Sequence, residues 1–510
     1  MNEDLTPEEK RKAWWILGIN TFAFTVCFAA WMMNGVLITF LVDSGIYSWN
    51  PSEMGWLIGI PVLTGAIFRL PLGIVTDKYG GRIVYSLLLF FSAVPMFLVS
   101  YCNSYWQFFT AGLGFGFTGT GFAIGIAYTS VWFPKHKQGL ALGIFGAGNA
   151  GAALTSLGAP HALNWLTDNE QNLEGWRHLP KLYAVILVAT GVFFLLTTTK
   201  RLPPGSKNKT LWQRLTPLKD IRVWRFGLYY FFVFGGFVAL AQWLVPYYVN
   251  AYGTTVALAG ALAACNSLPS GLIRAGGGWL SDVFGARTIM YWVLGTSLVC
   301  CALLLIPQMH IHSPGSGVMV KETGKVVEVS DTEIVVEANT GQQRTYKLKL
   351  KKGDLVTDEE RVNDLLIFPR ATSWQEPVVA EGQQVKKKDL IARGYTHIFF
   401  QANIWIFTIL SLIIGTVMGI GKAAVYKHIP DYFPTDVGVV GGIVGVLGGL
   451  GGFVCPVIFG YLLKATGVWT SCWIFFGALV AICLIWMHIV IQRMLRAGAP
   501  DLARRIAMHP

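Results

Sequence analysis

Gly65-Ala-Ile-Phe-Arg69-Leu-Pro-Leu-Gly73-Ile-Val-Thr-Asp77-Lys-Tyr-Gly80-Gly-Arg82 puts one arginine inside an otherwise apolar run. The pattern returns 205 positions later as Gly271-Leu-Ile-Arg274-Ala-Gly-Gly-Gly278-Trp-Leu-Ser-Asp282-Val-Phe-Gly285-Ala-Arg287. Arg69 maps to Arg274, Gly73 to Gly278, Asp77 to Asp282, Gly80 to Gly285 and Arg82 to Arg287. Five identities at one spacing point to two related halves, each with one arginine where a membrane makes it expensive.

The rest of the chain agrees with a membrane reading. Of 510 residues, 53% are hydrophobic and 13% charged, about half the usual globular share of charge. Mean hydropathy is +0.50. Twelve apolar runs, roughly 14–42, 54–75, 83–101, 106–133, 139–165, 181–199, 223–250, 255–280, 288–307, 396–429, 437–463 and 468–491, are candidate spans. The acidic-then-basic start, Met1 to Lys12, has no short apolar core with a cleavage site, so no cleaved signal peptide is expected.

The formal charge of +12 is a topology signal rather than a nucleic-acid patch. Residues 313–395 hold 13 Lys/Arg and 13 Asp/Glu, so the excess lies elsewhere, mostly in short loops. The loops at Glu9–Lys12, Asp77–Arg82, Pro134–Lys137, Lys200–Arg225, Asp282–Arg287 and Arg493–Arg505 are basic, and those on the other side neutral or acidic. The positive-inside rule makes both termini cytoplasmic. The eight cysteines, nearly all in apolar runs, show no metal or disulfide spacing, so neither metal nor cofactor is expected.

The fold class expected is all-α: twelve transmembrane helices in two six-helix pseudo-symmetric halves. A second repeat supports the division. Gly119-Thr-Gly121-Phe122 matches Gly419-Ile-Gly421-Lys422 at a spacing of 300, as do Phe133-Pro134 with Phe433-Pro434, Gly148 with Gly448 and Gly151 with Gly451. The spacing grows because something was inserted between spans nine and ten. Units of 1–199, a 200–222 cytoplasmic linker, 223–310, a 311–395 insert and 396–510 follow. The insert alternates as strands punctuated by Gly324, Gly341 and Gly353. Counting spans places this β-rich piece on the extracytoplasmic side, where it is free to meet a partner the sequence does not identify. Its end, Val378–Gly394, resembles the small barrel-sandwich domains of biotinyl and lipoyl carriers but lacks their modified lysine.

No Asp or Glu lies inside any of the twelve runs. A charge near a helix centre costs about 2.5–3.5 kcal/mol on insertion scales, so it persists only with a partner or a task. Without an internal counter-ion, Arg69 and Arg274 read as a site for an anion, since planar guanidinium forks two donors toward oxygens. The alternative is arginines bonded to backbone carbonyls.

The doubled G-x-x-x-D-x-x-G-x-R at Gly73–Arg82 and Gly278–Arg287 resembles the loop signature of the major facilitator superfamily, and the resemblance covers all twelve spans. It implies that Asp77, Arg82, Asp282 and Arg287 latch neighbouring helices and release during a transport cycle. Gly143-Ile-Phe-Gly146-Ala-Gly148-Asn149-Ala-Gly151, with Gly441-Gly-Ile-Val-Gly445-Val-Leu-Gly448-Gly-Leu-Gly451, resembles the paired signature of the nitrate/nitrite porter (NarK-like) family. That resemblance implies a nitrate or nitrite clamped between the halves by Arg69 and Arg274. The matching motifs add Asn149, Tyr230 and Phe234 from Tyr-x-x-x-Phe-Gly, and Phe122. The aromatics would cap the anion's faces and exclude water, which strengthens the charge contacts. Ordinary packing is the rival role for each aromatic and each glycine.

Lys422 stands where the first half has Phe122, and two roles remain open: snorkelling to the interface, or a third cation in the pathway that bears on coupling. The expected activity is alternating-access transport of nitrate or nitrite across a bacterial inner membrane by a monomer in contact with lipid, by exchange or with protons. Small organic carboxylate exchange, as in oxalate/formate exchangers of the same superfamily, is the nearest rival. A non-transporting anion sensor is the rival of another class. No nucleophile–base pair, metal ligand set or nucleotide loop suggests an enzyme.

Overall fold

The computed structural model describes residues 6–169, 171–202, 216–306, 309–351, 370–400, 403–433 and 437–497. Most of the expected linker, Pro434 and the tail beyond Ala497 lie outside them. Among the described residues ten helices are long and apolar enough to cross a membrane, and counting each of two bent helix pairs as one span brings the number to twelve. The bundle forms one compact unit, and Ile306–Phe407 with Ala251–Gly253 forms another.

The acids missing from the span interiors cap their ends. Thr6 and Glu9 form a capping box on the first span, Pro7–Asp43, and Asn50 and Glu53 form one on the second. Proline follows each cap, where its missing N–H costs nothing.

The second span is two helices, Pro51–Ile67 and Arg69–Tyr79, bent by 41° at Phe68. The cause is legible in the chain: Pro71 has no N–H to give the Ile67 carbonyl, so the ladder is interrupted there. The eighth span breaks at the equivalent place, between Val256–Leu272 and Arg274–Phe284. Other helices leave α geometry as well. Gly116–Thr120 in span four and Ala147–Ala150 in span five are 3-10 turns. Span seven, Ile221–Tyr252, is π-helical over Phe231–Gly236.

The halves meet where span two faces span eleven (Val437–Thr466) and span five (Leu140–Leu166) faces span eight. At the end away from Asp77–Arg82, contact is backbone to backbone. A Cβ on Gly55 would drive into the Pro456 carbonyl, and one on Gly260 into that of Ser156. Contact thins toward the other end, where a Cβ on Gly73 or Gly278 would meet nothing within 4 Å.

The second unit is built of two antiparallel sheets. β1 (Met309–Met319), β7 (Leu390–Phe400) and β5 (Arg370–Pro377) form one in the order β1-β7-β5. β2 (Gly324–Val329), β3 (Glu333–Ala338), β4 (Gln343–Lys347) and the two-residue β6 (Gln384–Val385) form the other, ordered β4-β3-β2-β6. Val326, Ile334, Val336, Val385 and Ile391 share its core. The apolar run at 398–400, read as the start of span ten, is the end of β7, with Phe400 opposite Met309. Span ten begins at Ile404. Apolar length alone does not separate a strand end from a helix start.

Candidate functional site

Arg69 and Arg274 are each the first residue after the break in their span. Placed there, each reaches toward the opposite half. Arg69 is 3% exposed, and its Nη1 donates to the Gly445 carbonyl of span eleven at 2.9 Å. Its Nε donates to the Gly119 carbonyl of span four at 3.4 Å. Arg274 lies against span five, where a Cβ on Gly146 would stand 3.1 Å from its Cδ. A side chain at Gly146 would press on the Arg274 side chain and oblige it to shift. The backbone-carbonyl role therefore holds for part of Arg69. Yet Nη2 of Arg69 and Nη1 of Arg274 are buried without a hydrogen-bond partner in the protein. Such orphan donors are costly, because a buried N–H forfeits its hydration.

Phe122 sits between the two arginines, its centroid 5.3 Å from the guanidinium carbon of each. Phe234 stacks on Phe122 at 6.1 Å and lies 4.9 Å from the Arg69 carbon. Each cation–π contact contributes about 0.5–2 kcal/mol, partly offsetting the desolvation of two like charges. Tyr230 stacks on Phe234 at 5.1 Å and 3°, and its hydroxyl is another unpaired buried group. Asn149 is fully buried with neither amide atom bonded. The backbone of Gly271, three residues before Arg274, abuts the backbone at Asn149 and Ala150. The structure thus brings Arg69, Phe122, Tyr230, Phe234 and Arg274 into one cluster, with Asn149 beside the eighth span one turn from Arg274.

The signature glycines seat the site's helices. A side chain at Gly148 or Gly151 would strike span one at Phe24 or the Thr25 carbonyl. In the other half, Gly448 and Gly451 admit span seven at Tyr230 and the Phe231 carbonyl. Gly445 instead gives its carbonyl to Arg69, and a Cβ there would stand 3.1 Å from the Tyr426 hydroxyl.

Lys422 does not snorkel. It is fully buried, its Nζ donates to Ser270 Oγ at 3.0 Å, and it lies 3.2 Å from the Phe237 ring centroid and 6.0 Å from that of Phe234. The repeat thus places Phe122 and Lys422, equivalent residues of the two halves, 6.1 and 6.0 Å from the Phe234 ring.

The loop signatures lie outside this cluster. Asp282 pairs with Lys427 of span ten (Ile404–Tyr432), and Arg287 donates to the Tyr432 hydroxyl at 2.6 Å. Arg82 donates twice to the Leu195 carbonyl, at 3.0 and 2.8 Å. Sequence reasoning missed Trp31, 5.6 Å from Arg69, and Tyr426, which meets Tyr230 edge-on at 5.0 Å and Arg274 at 5.7 Å. Tyr426 lies one helical turn after Lys422, a spacing that would have flagged it. Nothing in the sequence marks Trp31. Among the described residues no three His, Cys, Asp or Glu side chains gather to hold a metal.

Comparison with known proteins accords with this geometry. A family model described as Major Facilitator Superfamily matches residues 21–320. The "Probable nitrate/nitrite antiporter NarK1" of Thermus thermophilus is 36% identical over 493 residues, covering 96% of this chain and 94% of that protein. The "Nitrite extrusion protein" of Bacillus subtilis (strain 168) is 24% identical, covering 92% and 94%. Among solved structures, a bacterial homolog to the human lysosomal transporter Spinster, in an inward-facing and unoccupied conformation, aligns with a TM-score of 0.60 at 14% identity, covering 97% of this chain and 99% of that one. A mutant of the nucleoside transporter NupG aligns at 0.56 and 12%, covering 93% and 98%. These structural likenesses speak to the fold, and the sequence relatives to the branch. The chain belongs to the Major Facilitator Superfamily and, within it, to the nitrate/nitrite porter family of NarK-like proteins.

Proposed function

We propose that this protein is a secondary transporter that moves nitrate and nitrite across a bacterial inner membrane by alternating access, with both termini cytoplasmic. One observation carries the reading: two arginines, one per half, each lodged against the opposite half, hold unpaired donors around Phe122 and Phe234 in spans without acids. An anion here accepts from Arg69 Nη2 and Arg274 Nη1 and links the halves it lies between. Charge-assisted hydrogen bonds of this kind are worth about 1.5–3 kcal/mol each. Phe122 and Phe234 offer flat faces that fit a planar oxyanion, and relatives named for nitrate and nitrite favour these over a small carboxylate, which is planar too. The halves, packed shut at one end and looser at the other, would rock about this point.

Exchange is the favoured coupling. Driving an anion toward a negative interior costs about 2.3 kcal/mol per 100 mV, which swapping nitrate for nitrite cancels. Proteoliposomes loaded with nitrite are expected to take up labelled nitrate without a pH gradient, and excess oxalate or formate is expected not to compete. Absence of nitrate counterflow, with labelled oxalate or formate exchanged instead, would replace nitrate with the organic anion.

Proton-coupled uptake is the second reading, and buried Lys422 is the observation in its favour. If Lys422 carries the proton, Lys422→Phe, which gives the second half the residue of the first, removes uptake driven by a pH gradient in vesicles without internal nitrite. Gradient-driven uptake that survives the substitution excludes Lys422 as the carrier.

A further inference from the structure

A second cationic cluster lies away from the interface, wholly in the second half. Arg222, Arg225 and Arg287 place their guanidinium carbons 5.8, 6.0 and 5.9 Å from the ring centroid of one residue, Tyr432. The only carboxylate paired with any of the three, among the described residues, is Asp220, 3.6 Å from the exposed Arg222. Arg225 is 8% exposed, and among the described residues neither it nor Arg287 forms an ion pair with an acid. Beside the ring is a small cleft open to solvent, lined by Arg225, Arg287, Tyr229, His428 and, on span twelve (Ser471–Ala497), Met487 and Val490. Tyr229 is 2% exposed, and its hydroxyl has no hydrogen-bond partner in the protein. His428 stacks flat on Phe226, itself a lining residue, at 5.6 Å.

This arrangement is unfavourable as it stands. Like charges gathered without a counter-ion repel, and an unsatisfied buried hydroxyl forfeits its hydration. Both costs vanish if an oxyanion fills the cleft. Arg225 and Tyr229 of span seven and the Arg287 nitrogens not engaged by Tyr432, of span nine, supply donors from two helices, which suits an oxyanion with several acceptor oxygens, such as phosphate. The opposite wall is apolar, which suits a group that carries an apolar chain. Basic pockets between membrane helices are a recurrent way of holding anionic lipid headgroups.

We propose that this cleft is a second anion site, which binds a phosphate group, carried by an anionic phospholipid or free in solution. It lies between spans seven, nine, ten and twelve. Arg287 belongs to the loop signature, and Lys427, the partner of Asp282, adjoins His428 in the chain. A bound phosphate therefore ties the loop signature of the second half to spans seven and ten, and its occupancy is independent of the transported anion.

The test uses the full-length chain, purified and delipidated in detergent, with thermal unfolding followed by intrinsic fluorescence. Phosphatidylglycerol micelles, phosphatidylcholine micelles and inorganic phosphate are titrated separately. Phosphatidylglycerol is expected to raise the unfolding temperature and phosphatidylcholine to leave it unchanged. Tyr229→Phe, which alters no charge and little volume, is expected to weaken the effect by about tenfold, and Arg225→Met to remove it. An equal shift from inorganic phosphate, with nothing added by the lipid, supports the site with a soluble ligand. No shift from either, or a phosphatidylglycerol response that Tyr229→Phe leaves intact, overturns the proposal, because the latter marks diffuse attraction to basic loops.

Discussion

Arg69→Lys and Arg274→Lys are each expected to abolish nitrate uptake while the protein still reaches the membrane. Arg69 has the more fully occupied guanidinium of the two. Its guanidinium already holds two carbonyls, Gly119 in its own half and Gly445 in the other, and keeps Nη2 for an anion. Lysine brings one nitrogen, whose three donors radiate from a single point. It cannot stand at both carbonyls and the anion at once. Losing one charge-assisted contact costs about 1.5–3 kcal/mol, roughly ten- to a hundredfold in affinity. Lysine also loses the planar face set over Phe122 and Phe234. Uptake by proteoliposomes, normalised to protein recovered in the membrane fraction, is the measurement. Uptake retained in both variants would remove the clamp from the mechanism.

The second large effect is expected at the far end of the interface, where no side chain touches an anion. Gly55→Ala and Gly260→Ala each push a methyl group into a backbone carbonyl of the opposite half, that of Pro456 or Ser156. Backbone cannot rotate away as a side chain would. Overpacking of this kind costs about 1–3 kcal/mol. The cost falls only on the state in which this end is shut, so that state is depleted by roughly five- to 150-fold. Transport is expected to fall with it, while unfolding temperature changes little. Spin labels at Ser48 and Val468, exposed in loops beside the shut end, should move apart in both variants. Unchanged label distances with normal uptake would show that this closure is no part of the cycle.

The spans were legible because a bilayer imposes a length and an apolar composition, and the repeat of Arg69 at Arg274 is a pattern of side chains. What the arginines hold was not legible. The Gly119 and Gly445 carbonyls are backbone groups, which every residue owns, so no residue type announces them. The break at Phe68 could have been inferred from Pro71, but its counterpart before Arg274 has no proline after it and is known only from the fold. The π-helical stretch at Phe231–Gly236 likewise leaves no mark in periodicity. Trp31 looked like any other aromatic in an apolar span, since only tertiary contact distinguishes it, whereas the spacing of Tyr426, one helical turn after Lys422, was readable in the chain. The start of span ten was misread because Ile398-Phe-Phe400 is as apolar in a strand as in a helix.

The departures from regular helix have a consequence for how the bundle bends. The breaks at Phe68 and before Arg274, the 3-10 turns at Gly116–Thr120 and Ala147–Ala150, and the π-helical Phe231–Gly236 all adjoin the arginine cluster. Regular ladders of backbone hydrogen bonds run above and below them, so the bundle has a soft waist between two stiffer ends. Its slowest amides to exchange with deuterium should lie toward the two faces, and its fastest buried ones at mid-depth, the reverse of a helix that frays from its tips. Each half can then flex at the level of the ligand as well as pivot against its neighbour.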